Sequence, residues 1–361
     1  MTATRTACED AALERALDLA GRGTLAGGNP RVGCVLLAAD GGVLAEGWHR
    51  GAGTAHAEAA ALAAVAPHDR ARLVGGTAVV TLEPCHHTGR TPPCSRALHA
   101  AGLARVVHAA ADPTPQARGG AAWLRAQGVD VVTAAGAGAR PELIGRAGEL
   151  LASWATAGRR HRPWVVGKTA TSLDGRVAAP DGTSRWITGA EARAHAHEVR
   201  AEVDAILVGT GTVLTDDPAL TARVPGGADA AHQPLRVVVG ERPVPTGARL
   251  RRGGGEWLHR PTHDLAAVLD ELYARGMRHV LLEGGPTLLT AALRAGLVDE
   301  LHAYVAPVLL GSGPGAVSDL GVATIGDALR WRTTSIRRLG DDVLLTALRT
   351  PPPPHPHEGD N

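Results

Sequence analysis

The sequence predicts two successive α/β domains, and three observations carry that expectation. An apolar hairpin near residues 32–48 is followed by strand–helix alternation as far as 157, the order expected of a layered α/β unit. A charged, glycine-containing segment, GRRHRP at 158–163, then interrupts the pattern, and an apolar strand at 164–166 starts it afresh. At 361 residues the chain also exceeds what one hydrophobic core ordinarily covers. The expected bounds are 1–157 and 158–350, with a Pro/His tail over 351–361.

In the first half, Ala12, Leu13, Ala16, Leu17 and Ala20 recur at helical spacing, and Gly21 and Gly23 stop that helix. Apolar runs at 32–38 and from 43 flank an Asp40-Gly41-Gly42 turn, which predicts a hairpin. The alanine-rich stretch 56–66 is expected to be a helix whose first turn holds His56 and Glu58. Residues 77–82 form a short buried strand running directly into Glu83, Pro84 and Cys85. Beyond Cys94 the pattern predicts a helix to 101, a strand at 105–110, a helix over 121–127 and a strand at 129–132. Leu143, Ala147, Leu150, Leu151 and Trp154 then share one face of a closing helix over 141–157. The second half predicts strands at 164–166, 205–208, 235–239, 279–282, 301–305 and 343–348, and helices at 190–201, 265–273 and 287–295. Only an irregular loop rich in Gly, Pro and Ala is expected between 208 and 235. The tail PPPPHPHEGDN has no apolar surface to bury and is expected to be disordered.

Composition narrows the function. Hydrophobic content of 44% and charged content of 20% are those of a soluble globular protein. With 37 basic and 36 acidic side chains, no electrostatic footprint for nucleic acid or an anionic membrane is present. No apolar run reaches the roughly 18 residues of a membrane span, and the amino terminus reads as an amphipathic helix, not a signal peptide, so a cytoplasmic protein is expected. In such a compartment a close cysteine pair is a metal or catalytic pair before it is a disulfide. Lys168 is the only lysine among the 37 basic residues. Arginine replaces lysine wherever only charge is needed but cannot imitate a compact ammonium, so Lys168, beside an apolar strand and just before a polar turn, is read as functional.

Hydrolytic zinc chemistry needs three protein ligands and an open position for water. The stretch TLEPCHHTGRTPPC at 81–94 supplies two thiols, each directly after a proline, and HAE at 56–58 supplies an imidazole and a carboxylate. His56, Cys85 and Cys94 are therefore candidate metal ligands, and Glu58 is the candidate proton carrier between water and leaving group. Cys85 follows a strand end and is expected to open a helical turn whose amides favour the thiolate. HxE, a strand, then PC and a second cysteine is the order of the zinc deaminase signature, here with eight residues between the thiols in place of two. A closed structural zinc in a non-enzymatic module is the alternative, and it would leave Glu58 without a task. In the second half EGGPTL at 283–288, between a strand and a helix, is a turn whose amides suit phosphate, and no GxGxxG is present.

With NPRVG at 29–33, these stretches resemble the amino-terminal deaminase of the bifunctional riboflavin-biosynthesis family RibD. KTATSLDGR at 168–176, SRWIT at 184–188, TVLTDDPAL at 212–220, EGGPTL at 283–288 and LVDELHAYVA at 297–306 are similar to that family's reductase. The resemblance implies a cytidine-deaminase-like α/β/α domain followed by a dihydrofolate-reductase-like α/β domain. It implies zinc-dependent deamination of 2,5-diamino-6-(5-phosphoribosylamino)pyrimidin-4(3H)-one, then NADPH-dependent reduction to 5-amino-6-(5-phosphoribitylamino)uracil. It implies Asn29 at the pyrimidine and His87 and Arg90 at the ribose phosphate of the first site. At the second it implies Lys168, Ser184, Arg200, Leu220, Arg223 and Glu283 near substrate. Ala170, Thr171, Trp186, Thr212, Asp216 and the run Gly285, Pro286, Thr287 and Leu288 would lie near the dinucleotide. His86 and His87 read as a substrate-facing or solvated pair. His86 and Thr88 stand where the family usually has a small polar residue and often a ring, and Gly240 and Glu241 where it commonly has an acidic and a small polar residue. The family further implies a homo-oligomer. A deaminase with a degenerate or redirected second half is the alternative.

Overall fold

The computed structural model describes residues 2–87, 92–114, 118–253 and 255–350. The chain divides into two compact units, 1–162 with 272–278, and 163–271 with 279 onward.

In the first unit α1 (Thr2–Ala20) leads into a hairpin of β1 (Gly33–Leu37) and β2 (Val43–Trp48). Then come α2 (Ala57–Ala64), β3 (Thr77–Leu82), α3 (Cys94–Ala100), β4 (Arg105–Ala110), α4 (Gly120–Ala126), β5 (Asp130–Thr133) and α5 (Pro141–Arg160). The sheet order is β2-β1-β3-β4-β5. β1 is antiparallel to β2 and β3, whereas β3, β4 and β5 run parallel because α3 and α4 carry the chain back between them. Successive strand residues face opposite layers. Val35, Leu37, Val79 and Val107 pack with Leu13, Ala16, Leu143 and Ala147 of α1 and α5. Cys34, Leu36, Ala78, Val80 and Leu82 pack with Ala57, Ala61, Leu98 and Leu124 of α2, α3 and α4. Both faces are thus covered, which is why every residue of β1 and β3 is buried.

Two glycines set the spacing of the layers that hold the site. A Cβ on Gly47 of β2 would stand 2.3 Å from the Ala61 nitrogen, and one on Gly120 of α4 would stand 1.8 Å from the Pro84 carbonyl oxygen. Bare backbone at these points lets α2 press onto β2, and α4 onto the turn after β3.

The second unit comprises β6 (Trp164–Ser172), α6 (Ala190–Glu202), β7 (Ala205–Gly209), α7 (Thr210–Asp216), β8 (Leu235–Val239), β9 (Trp257–Arg260) and α8 (Leu265–Ala274), followed by β10 (His279–Leu282), α9 (Pro286–Arg294), β11 (Glu300–Ala306), β12 (Trp331–Leu339) and β13 (Asp342–Arg349). Its strand order is β12-β13-β11-β6-β10-β7-β8-β9. The run from β11 to β9 is parallel, and β13 and β12 add an antiparallel edge. The carboxyl ends of β7, β8 and β10 come together, the place where open α/β sheets bind ligands.

Several expectations are corrected. His56 caps α2 instead of lying within its first turn. β6 continues to Ser172, so Lys168 is inside a strand, paired across from His302 of β11. α5 continues to Arg160, through the first part of the charged segment GRRHRP. α7, β9 and β12 were not foreseen. α7 is a seven-residue TGTVLTD with β-branched positions that give no helical signal. β12 is exposed along most of its length, so no apolar alternation marks it. The tail 351–361 lies outside the described residues.

Candidate active sites

His56 sits at the amino-terminal cap of α2 with extended backbone, φ −65° and ψ 159°. Its Nδ1 lies 3.6 Å from Cys85 Sγ and 3.4 Å from Cys94 Sγ. Zn–N bonds of about 2.0–2.1 Å and Zn–S bonds of about 2.3 Å at tetrahedral angles put N and S about 3.6 Å apart, so these donors are spaced for that ion. Among the described residues no fourth His, Cys, Asp or Glu joins them.

The expected helical turn at Cys85 is absent; Cys85 lies in irregular backbone, and Cys94 is the residue that opens α3. A helix start nevertheless faces the Cys85 sulfur, because the Cys94 amide donates to it at 3.5 Å. The pair gives up its first proton readily. The hydrogen bond from Cys94, and after it those from His56 and the Cys94 amide, pull Cys85 well below the ordinary thiol range although burial opposes this. The hydrogen bond to Cys85 and then burial hold the Cys94 thiol up. Two adjacent thiolates need a cation between them, so the chemistry of the pair fits a metal as its geometry does.

Glu58 is buried in the first turn of α2, and burial pushes its carboxyl up to about 7. A carboxyl that exchanges its proton near neutrality suits proton transfer.

Sequence reasoning overlooked Glu83. Its Oε1 accepts from the amides of Gly119 and Ala121, and its Oε2 from that of Asp112. These bonds tie the turn bearing Cys85 to the start of α4. An acidic residue directly after an all-buried strand was the available signal. His49 was also overlooked: it is buried, its ring lies 5.6 Å from that of His56, and its Nε2 has no hydrogen-bond partner in the described structure. The two histidines after Cys85 diverge. His86 bonds Ser95 Oγ through Nδ1 at 2.9 Å and stacks on Trp123, whereas His87 is exposed, so they do not form one solvated pair. Asn29 is half-buried in the segment before β1. Thr88 and Arg90 lie outside the described residues.

In the second unit two cavities, of about 850 and 730 Å³, share Lys168, Ala170, Ser184, Arg200, Asp216, Leu220 and Glu283. Thr212, Gly285, Pro286, Thr287 and Leu288 line the first, together with Gly240 and Glu241. Arg223 and Trp186 line the second, where Trp186 shares the wall with Ala170 and Asp216 but not with Thr212 or Gly285–Leu288. Thr171 lines neither; its hydroxyl is turned toward the Tyr304 carbonyl at 3.5 Å. Gly285 caps α9 and donates its amide to Thr212 Oγ1 at 3.3 Å, so the glycine turn and α7 together form a bare-backbone cradle suited to a dinucleotide phosphate.

Glu283 anchors the shared part. Burial opposes its charge, but Arg200 and then Lys168 outweigh that and bring it down to about 2. Arg200 directs Nε and Nη2 at Glu283 and Nη1 at the Thr221 carbonyl, and Nη1 also lies 3.5 Å from His197 Nδ1.

Residues 6–110 match the family described as the cytidine and deoxycytidylate deaminase zinc-binding region, and residues 163–345 match the RibD C-terminal domain. The riboflavin biosynthesis protein RibD of Mycobacterium tuberculosis is 46% identical, covering 88% of this chain and 90% of its own. The chain belongs to the RibD family. The solved RibD of Acinetobacter baumannii superposes with a TM-score of 0.85 at 33% identity, covering 96% of this chain and all of its own. A Thermotoga maritima structure described as a diaminohydroxyphosphoribosylaminopyrimidine deaminase/5-amino-6-(5-phosphoribosylamino)uracil reductase gives 0.81 at 28% identity, covering 96% and 99%. The chain is a bifunctional deaminase and reductase of riboflavin biosynthesis, with the zinc-type deaminase region and the NADPH-using reductase domain both present. Among the described residues no helix is long and apolar enough to cross a membrane.

Proposed function

We propose that residues 1–157 deaminate 2,5-diamino-6-(5-phosphoribosylamino)pyrimidin-4(3H)-one and residues 158–350 reduce the product to 5-amino-6-(5-phosphoribitylamino)uracil. His56, Cys85 and Cys94 hold zinc, which when bound supplies the Lewis acidity that makes water reactive near neutral pH. Glu58 takes up the proton that water loses and returns it to the departing nitrogen, so that C2–NH₂ becomes C2=O and ammonia leaves. Asn29 holds the pyrimidine, and His87 and Arg90 the ribose phosphate. The observation that carries this reading is a three-donor set with a buried carboxyl beside it and no fourth ligand among the described residues. A closed structural zinc site would require that fourth ligand.

In the second unit NADPH supplies hydride to C1 of the opened ribosyl group. The chain's part is positioning. Ala170, Thr212, Asp216 and Gly285–Leu288 hold the dinucleotide, joined by Trp186 from the neighbouring cavity, whereas Thr171 lies outside both cavities. Lys168, Ser184, Arg200, Leu220, Arg223 and Glu283 hold the substrate.

Free Cys8, Cys34, Cys85 and Cys94 favour a reducing compartment, the cytoplasm. Exposed Ile336 and Val343 on the edge hairpin favour a homo-oligomer, and a net charge of +1 gives no support for nucleic-acid binding. The test is to follow ammonia release from the diaminopyrimidinone and NADPH absorbance with its deaminated product. Both signals are expected. Ammonia release without NADPH oxidation would leave a deaminase alone.

A further inference from the structure

His197, on α6, has no part in the roles above, yet it lines the 730 Å³ cavity together with Arg200 and Arg223. Its Nδ1 lies 3.0 Å from the Thr221 carbonyl oxygen, to which Arg200 Nη1 also donates at 3.1 Å. A carbonyl only accepts, so at this 3.0 Å contact Nδ1 carries the proton, Arg200 Nη1 standing farther from it at 3.5 Å, and Nε2 of the neutral ring holds a lone pair. Nε2 makes no hydrogen bond among the described residues, and the Arg223 side chain forms no ion pair among them. A guanidinium with open donors beside a proton-accepting ring is a site for a phosphate monoester.

We propose that His197 is a further substrate-binding residue of the reductase unit, its Nε2 meeting the substrate's phosphate monoester beside Arg223. This rests on the phosphoribosyl reductase reading given above. A neutral Nε2 has no hydrogen to offer a phosphate dianion, so one proton from solvent enters with the ligand and bridges nitrogen and oxygen. In the free protein burial, and then Arg200, hold the ring below its ordinary value, with Arg223 acting the same way and Glu283 opposing. Glu198 and Arg193 line the same cavity. The ring is therefore neutral at pH 7, and an arriving dianion reverses the balance that keeps it so.

Ribose 5-phosphate is the probe, titrated calorimetrically into the full chain at pH 7.5 in two buffers of different ionisation enthalpy. The wild type is expected to take up about one proton per ligand. His197→Asn keeps a donor for Thr221 but removes Nε2; it is expected to bind about tenfold more weakly and to take up no proton. His197→Gln, whose amide reaches the Nε2 position, should recover part of the affinity without the uptake. With the full substrate the same variants should raise KM and leave kcat within twofold. Unchanged affinity and uptake in His197→Asn would reduce His197 to a support for Thr221 and overturn the assignment, as would wild-type protein that binds the probe without a proton or not at all. If the probe behaves as expected while NADPH is not oxidised, the reductase reading fails and this site stands.

Discussion

Arg200 and Glu283 meet as a fork, Nε to Oε2 at 2.8 Å and Nη2 to Oε1 at 2.7 Å, with Lys168 Nζ 3.4 Å from the same carboxylate. Both side chains of the fork are largely buried, so removing one leaves a charge that water cannot reach. Arg200→Ala is expected to cost about 3 kcal/mol, the lower end for a broken buried pair because Lys168 still faces Glu283. Arg200→Lys should recover only part of this, since an ammonium cannot form two parallel bonds. Chemical denaturation of the second unit reads both.

The same carboxylate makes stability depend on acid. Glu283 titrates at about 2 in the folded chain, against an ordinary 4.5, so the unfolded chain binds more protons between those values. Its contribution is fully present above about pH 4.5 and is lost as pH falls toward 2. Asp174, held at about 2 by Ser172 and by the amides of Leu310 and Gly311, acts in the same window. Glu283→Gln should therefore flatten, without abolishing, the fall in urea midpoint between pH 4.5 and 2.5.

Glu58→Gln keeps the shape of a buried side chain but cannot carry a proton. It is expected to retain zinc by elemental analysis and to lose deamination by 10²-fold or more, the size of a missing general acid–base. Ample residual ammonia release would remove Glu58 from the proton path. NADPH oxidation with the deaminated substrate should not change.

Cys94→Ser removes one ligand and the hydrogen bond that favours the Cys85 thiolate. Zinc content should fall well below one per chain. Unchanged stoichiometry would mean that a different residue completes the site.

Gly120→Ala tests positioning without touching a ligand. The added methyl would stand 1.8 Å from the Pro84 carbonyl oxygen, so either α4 or the Cys85 turn must move. The expected cost is about 1–3 kcal/mol together with reduced zinc occupancy. Gly145→Ala in α5 meets nothing within 4 Å and should stabilise the chain by about 0.5–1 kcal/mol, which makes it the control.

The periodic elements and the identity of the chemical groups were legible in residue order alone. Strand 105–110 and strand 279–282 coincide with β4 and β10 because each carries a buried apolar centre, Val106-Val107 and Val280-Leu281-Leu282, that residue order alone displays. HAE and the two PC steps named the zinc donors because thiolate, imidazole and carboxylate chemistry depends on residue type before it depends on place. What lacked periodic contrast stayed hidden, as with α7 and the exposed edge strand β12. Only the tertiary structure decided which groups meet and which way they face. It put the Cys94 amide on the Cys85 sulfur, sent His86 inward onto Trp123 and left His87 outside, and turned Thr171 away from both cavities. It also brought His197 Nδ1 and Arg200 Nη1 to the same Thr221 carbonyl, at 3.0 and 3.1 Å. Such facts depend on distances between residues far apart in the chain, and no local pattern encodes a distance that only packing sets.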